Sequence, residues 1–229
     1  MLKNYKMKPI LFITTIGVLF ITASGATNAT TLSNAVYYDF NKMEETLVID
    51  VSVTQTVQSA QNFIKIMGSE AIGFMADSTL NETQKKQKFK ELLDDRFDME
   101  TIGRFVAGAY WKVMTKEQQD EYQNLFNKLI VLIYSNRFLE YEGQKFIVDS
   151  AKNSGDSDFI VQSHIVPLSG ENIPISWHVR WKNGNYNIID VKIKDVSMAI
   201  SQKSEFSSII QRGGGDPEVL LKHLKEKVG

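Results

Sequence analysis

The chain has 229 residues, 43% of them hydrophobic, with a formal charge of −1 and no cysteine. That length suits one well-filled domain, or one domain with an extension. The missing cysteine excludes disulfides, thiol catalysis, cysteine-ligated zinc and a bacterial lipoprotein anchor.

Lys3, Lys6 and Lys8 lead into an apolar run over residues 10–21, and small residues follow over 22–29. This is the order of a secretory leader, and the run is shorter than the roughly 20 residues a spanning helix needs. The expected organisation is a signal peptide over 1–26, cleaved near Gly25, Ala26 or Ala29, a poorly packed N-terminal arm over 27–59, and a folded domain over 60–229. Removing the leader takes three lysines and no acids from the formal −1, leaving −4. A mildly acidic exported protein has no electrostatic case for binding nucleic acid.

From Gln61, the residues Phe63, Ile66, Met67, Ala71 and Phe74 recur at helical spacing. Asn81-Glu82-Thr83 opens a second helix carrying Phe89, Leu92 and Leu93, and Asp98 caps a third with Ile102, Phe105, Val106 and Ala109 inside. A long central helix is expected over 115–141. Thr115 with Gln118 forms a capping box, Gly143 supplies a stop, and Glu117, Asp120 and Glu121 sit in the first turns with Lys128 and Arg137 later. Tyr122, Leu125, Phe126, Leu129, Ile133 and Phe138 make one apolar stripe. Residues 129–134 are apolar without a break, so this half of the helix is expected to be covered on more than one side.

Beyond Gly143 the period changes to two. Phe146/Val148, Phe159/Val161/Ile165 and Ile173/Ile175/Trp177/Val179/Trp181 alternate as half-buried strands do. Asn183-Gly184 is a tight-hairpin signal ahead of a returning strand over 186–193. Ser176, His178 and Arg180 fall on the opposite, solvated face. A helix capped by Ser204 follows, ended by the glycines at 213–215, and Asp216-Pro217 starts a last helix. The fold class is therefore α+β, with helices packed on one face of a curved antiparallel sheet of about four strands.

Catalytic chemistry finds no support in these residues. His164, His178 and His223 lack a second ligand at metal spacing. The pairs Asp94-Asp95 and Glu44-Glu45 read as solvated surface. The glycines at 213–215 lack a following Lys-Ser/Thr and end a helix rather than cradle a phosphate. What remains is an apolar inventory on the inner sheet face and the central helix, which an ordinary core would also explain.

Arg104-Phe105-Val106-Ala107-Gly108-Ala109-Tyr110-Trp111-Lys112, then Thr115, Gln118, Tyr122 and Phe126, then Tyr141-Glu142-Gly143-Gln144 resemble the signature of the MlaC / toluene-tolerance family of periplasmic phospholipid-binding proteins. Val196-Ser197-Met198, Ser204-Glu205-Phe206 and Ile209-Ile210 continue the resemblance in order. Family members commonly have Gly where Asp195 stands and Arg where Ala109 stands. The resemblance implies a soluble periplasmic carrier whose helices and sheet enclose an apolar lipid pocket. Such a carrier shuttles phospholipid between an outer-membrane MlaA-like lipoprotein complex and an inner-membrane ABC transporter with an MlaD-like subunit, maintaining outer-membrane lipid asymmetry. It further implies a monomer with phospholipid as cargo, no cofactor, no metal and no catalysis.

On that basis the expected lipid-binding residues are Trp177, Val179 and Val191 from the sheet, Leu129 and Ile133 from the central helix, and Val196 and Met198 behind the last strand. Tyr110 and Tyr134 would place hydroxyls near the mouth. Two other readings share this composition: a small exported enzyme or ligand-binding domain of cone-shaped α+β type, and a non-catalytic envelope interaction module with a filled core.

Overall fold

The computed structural model describes residues 55–229, except the side chains of Arg137 and Phe138. The expected signal peptide and most of the expected arm lie outside the described residues. Helix α1 spans Val57–Ala76, four residues ahead of the expected start, because Thr56 and Ser59 close a capping box there. Ala60 and Ile64 take its fully buried face, whereas Ile66, expected inside, is exposed. α2 spans Glu82–Arg96 behind an Asn81–Gln84 capping box, and α3 spans Met99–Ala107 behind Asp98. Gly108, at φ 61, turns the chain into a short 3₁₀ segment, Gly108–Lys112.

The central helix α4 spans Lys116–Leu139, and its Thr115–Gln118 capping box forms as the spacing requires. It packs closely on α2, α3 and, near the end of the chain, α6 (Pro217–Val228), whose N-cap is Asp216. Its partners divide the core in two. Leu125, Phe126 and Leu129 join a helical cluster with Val106, Phe206, Ile210, Leu220 and Leu224. Tyr122 is stacked with Phe126 and edge-on to Phe206. Its hydroxyl donates to the Gly103 carbonyl at 3.0 Å, and burial pushes the phenol pKa well up. Val131 and Tyr134 instead pack on the sheet cluster, and Ile130 touches both. The apolar run at 129–134 is thus flanked on two sides but not enclosed: Leu132 and Ile133 remain 45% and 39% exposed.

Strands β1 (Lys145–Asn153), β2 (Asp158–Val166), β3 (Ile173–Lys182), β4 (Asn185–Ile193) and β5 (Val196–Ser197) pair antiparallel in sequence order. The β3–β4 turn has φ 53 at Asn183 and φ 84 at Gly184, the pair of positive angles a two-residue hairpin needs. The fifth strand, beyond the expected four, is only two residues long. After it comes α5 (Met198–Arg212), which begins at the N-cap Ser197. Ser204, the expected cap, lies inside the helix. The correction has a long-range cause, since Asp190 of β4 accepts from Ser197 Oγ at 2.7 Å and from the Ala199 amide at 3.1 Å. A carboxylate at the helix N-terminus satisfies donors that would otherwise be orphaned.

Candidate functional site

Strand alternation puts Phe146, Val148 and Ala151 of β1, Phe159, Val161, Ser163 and Ile165 of β2, Ile175, Trp177 and Val179 of β3, and Tyr186, Ile188, Val191 and Ile193 of β4 on one face. Two bulges interrupt the register, leaving Asp149 and Ile189 as the extra residues. Each bulge lets the apolar residues on both sides of it keep the same face while the sheet bends.

The two ends of that face differ. At one, Phe159, Val179, Tyr186 and Ile188 are buried. There the Tyr186 ring meets Phe159, Trp181 and Phe63, and its hydroxyl donates to the Thr56 carbonyl at 3.0 Å, tying down the start of α1. At the other end, where Phe146 pairs with Ile165 and Ile175 with Ile193, the inward residues Phe146, Val148, Ile165, Ile173, Val191 and Ile193 are only half-buried. One end is a finished core. The other is an apolar margin still partly open.

Between them, Trp177 donates its indole N–H to Ser163 Oγ at 2.8 Å, and Ser163 donates onward to the Ile175 carbonyl at 3.5 Å. The polar atoms on this wall therefore satisfy each other and present nothing to a guest. Phe146 adds an edge contact to Trp177 and lies close against Gly68 of α1, where even a methyl group would meet its ring.

Helices complete the open margin. Tyr134 of α4 directs its hydroxyl to Met198 Sδ at 3.7 Å, across to the first turn of α5. Asp190 and Ser197 fix that turn on β4, and with it the position of Met198. Ile200 beside it is exposed. On the outer face, Asp158 bridges His178 at 2.9 Å and Arg180 at 2.8 Å through two oxygens. The Arg180 guanidinium, with help from His178, holds the Asp158 carboxyl below its usual range. Charge is thereby kept on the side away from the apolar face.

Of the nine residues expected to bind lipid, the structure places Trp177, Val191, Tyr134 and Met198 around this margin, with Val191 directly opposite Trp177. Val179 shares the face but sits at the closed end, fully buried. Val196, paired with Ile193 at the margin, and Ile133 of α4 lie on the surface, 53% and 39% exposed. Leu129 and Tyr110 belong to the helical cluster, away from the sheet. Two surface clefts open elsewhere, of about 400 Å³ beside the β3–β4 turn and about 430 Å³ between α2 and α4, and none of the nine lines either. Among the described residues no cluster of acids and histidines suits a metal, and no helix is long and apolar enough to cross a membrane.

The MlaC protein family profile matches residues 58–226. This chain belongs to the MlaC family. It is 26% identical over 176 residues to the intermembrane phospholipid transport system binding protein MlaC of Haemophilus influenzae, covering 72% of this chain and 82% of that one. It is 24% identical over 172 residues to the toluene tolerance protein ttg2D of Pseudomonas putida, covering 72% and 79%. A solved phospholipid-binding protein from Ralstonia solanacearum, in complex with a phospholipid, shares its fold with a TM-score of 0.65 and 22% identity, over 73% of this chain and 96% of that one.

The MlaC motifs acquire physical roles here. Thr115 and Gln118 are a helix cap, Tyr122 and Phe126 are the centre of the helical cluster, and Val196-Ser197-Met198 is a strand end, an N-cap and a residue of the apolar margin. Asp190 and Ser163 went unread in the sequence. Ser163 stands in an otherwise apolar inward alternation, and that break was the one signal available.

Proposed function

We propose that this MlaC family member is a periplasmic carrier of phospholipid, holding acyl chains against the open end of the sheet with the headgroup outside. The supporting observation is the margin of half-buried apolar side chains, Phe146, Val148, Ile165, Val191, Tyr134 and Met198, beside a wall whose polar groups already bond one another. Burying a chain is worth about 0.8 kcal/mol per methylene, so about 14 carbons carry roughly 11 kcal/mol that would be lost in water. Release therefore requires a partner that takes the lipid directly.

The partners are, on this reading, an outer-membrane MlaA-like lipoprotein complex and an inner-membrane ABC transporter with an MlaD-like subunit, served by a monomeric carrier. No bond is made or broken and no cofactor is needed. The secretory leader would supply the export. Native mass spectrometry of protein purified from a bacterial host tests it: phospholipid adducts of mixed headgroup are expected, and Val191→Asp should remove them. Bare polypeptide mass from wild type under gentle conditions would favour an interaction module with a filled core.

A further inference from the structure

The cleft between α2 and α4 is not explained by a sheet-side lipid site. Along α4 it is lined by Asn124, Asn127, Lys128, Val131, Leu132 and Ser135, which recur at three- and four-residue spacing and so form one face of the helix. At 100° per residue the centre of that face lies about a quarter-turn round from Tyr134. Opposite are Lys86, Lys90, Leu93 and Asp94 of α2, with Met99 and Val228 at one end. The helices run antiparallel here, because Gln123 Nε2 near the start of α4 donates to the Met99 carbonyl just past the end of α2.

Three properties mark the cleft as a binding site. Its volume of about 430 Å³ lies in the range of small-ligand clefts, about 300–1,000 Å³. Its floor is apolar: Leu93, Met99, Val131, Leu132 and Val228, with Leu132 left 45% exposed. Its rim carries positive charge. Ser135, 2% exposed, lines the cleft and adds a hydroxyl to it. Lys86 and Lys128 stand at the rim without an ion pair among those residues, whereas Lys90 is held by Asp94. Two ammonium groups without ion pairs over an apolar floor favour one chemistry.

We propose that the α2–α4 cleft is a second lipid site, taking a single-chain anionic amphiphile: the chain along Leu93, Val131 and Leu132, the anion between Lys86 and Lys128. The anion can be a fatty-acid carboxylate or a lysophospholipid phosphate, since both present acceptor oxygens to the two lysines. The site is independent of the sheet-side reading and stands or falls apart from it.

The test uses mature protein, stripped of lipid, and a diazirine-bearing palmitate, followed by peptide mapping. Labelling is expected within α4 between Lys128 and Ser135, competed by unlabelled palmitate or 1-palmitoyl-lysophosphatidate and not by hexadecanol. Whichever anion competes at lower concentration identifies the source. Lys86→Gln with Lys128→Gln should weaken palmitate binding about tenfold, and Leu132→Asp should abolish it. The phospholipid content of each variant as purified, measured separately by mass spectrometry, should remain that of wild type. Labelling confined to β3 and β4, equal competition by hexadecanol, or unchanged affinity in the double-lysine variant would each overturn the proposal. Capture of an acidic peptide with no palmitate binding would overturn it in favour of a protein-docking groove. Loss of phospholipid from wild type alone would bear on the carrier reading and leave α4 labelling as the readout of this one.

Discussion

Trp177 and Ser163 lie on adjacent strands, and the 2.8 Å hydrogen bond from the indole nitrogen to the serine hydroxyl is what allows a tryptophan to wall an apolar space. Ser163→Ala removes the acceptor while the ring stays buried. An unsatisfied buried donor costs about 1–3 kcal/mol, so the urea midpoint should fall accordingly. Ser163→Thr keeps the hydroxyl and should recover most of the loss. A midpoint unchanged in the alanine variant would mean the indole has found water, and the wall is wetter than its lining suggests.

Asp158 predicts an acid limb. Its carboxyl pKa is lowered in the folded protein, first by the hydrogen bond from Arg180, against about 3.9 in an unfolded chain. A lowered folded pKa means the unfolded state binds protons first as pH drops. The stabilisation is therefore complete above the unfolded value and declines as pH falls towards the folded one. Unfolding free energies of wild type and Asp158→Asn, measured from pH 7 to pH 3, should show a gap that is constant down to about pH 5 and narrows below about pH 4. A gap that widened on acidification would reverse the assignment.

The turn between β4 and β5 carries φ 50 at Lys194 and φ 64 at Asp195, left-handed backbone without glycine at either position. Such a conformation costs an ordinary L-residue about 1–2 kcal/mol, less for Asp, and glycine nothing. Family members commonly place Gly where Asp195 stands. Asp195→Gly should then raise stability by about 0.5 kcal/mol, after allowing for the greater freedom of glycine in the unfolded chain. Asp195→Val should lower it, since a β-branched residue fits this region worst.

These examples show what the sequence could and could not disclose. Alternation, the Asn183-Gly184 turn and the Thr115–Gln118 cap are local, so the strands, the hairpin and the start of α4 were legible within two or three residues. The start of α5 was not, because Ser197 caps it only with Asp190, a residue of the preceding strand brought alongside by the β4–β5 turn. The apolar run at 129–134 is covered on two sides, as expected, but the exposure of Leu132 and Ile133 within it was not legible, for the same reason. Whether Leu132 and Ile133 are covered depends on which helices arrive beside them, and α2 stops short of filling the cleft over Leu132. For the site, composition gave an apolar sheet face, but core and cavity wall carry one pattern. Only the strand pairing separates Val179 at the closed end from Val191 at the open one.

That separation gives the last prediction. Val179 is fully buried among Phe159, Tyr186 and Ile188, so Val179→Ala removes two methyl groups from a packed core and should cost about 2 kcal/mol with or without lipid. Met198 is half-buried at the margin, with Tyr134 against its sulfur, so Met198→Ala has fewer contacts to lose in empty protein. A lipid that binds only the native state stabilises it by RT ln(1 + [L]/Kd), about 2.7 kcal/mol at 100 times Kd. Delipidation should therefore lower the wild-type Tm clearly. Met198→Ala should shrink the difference between loaded and empty protein while moving the empty Tm little, and Val179→Ala should lower both curves in parallel. The measurement is six melting curves, three proteins with and without phospholipid. If Met198→Ala destabilises the empty protein as much as Val179→Ala does and leaves the lipid-dependent difference intact, the margin is a finished core and phospholipid binds somewhere else.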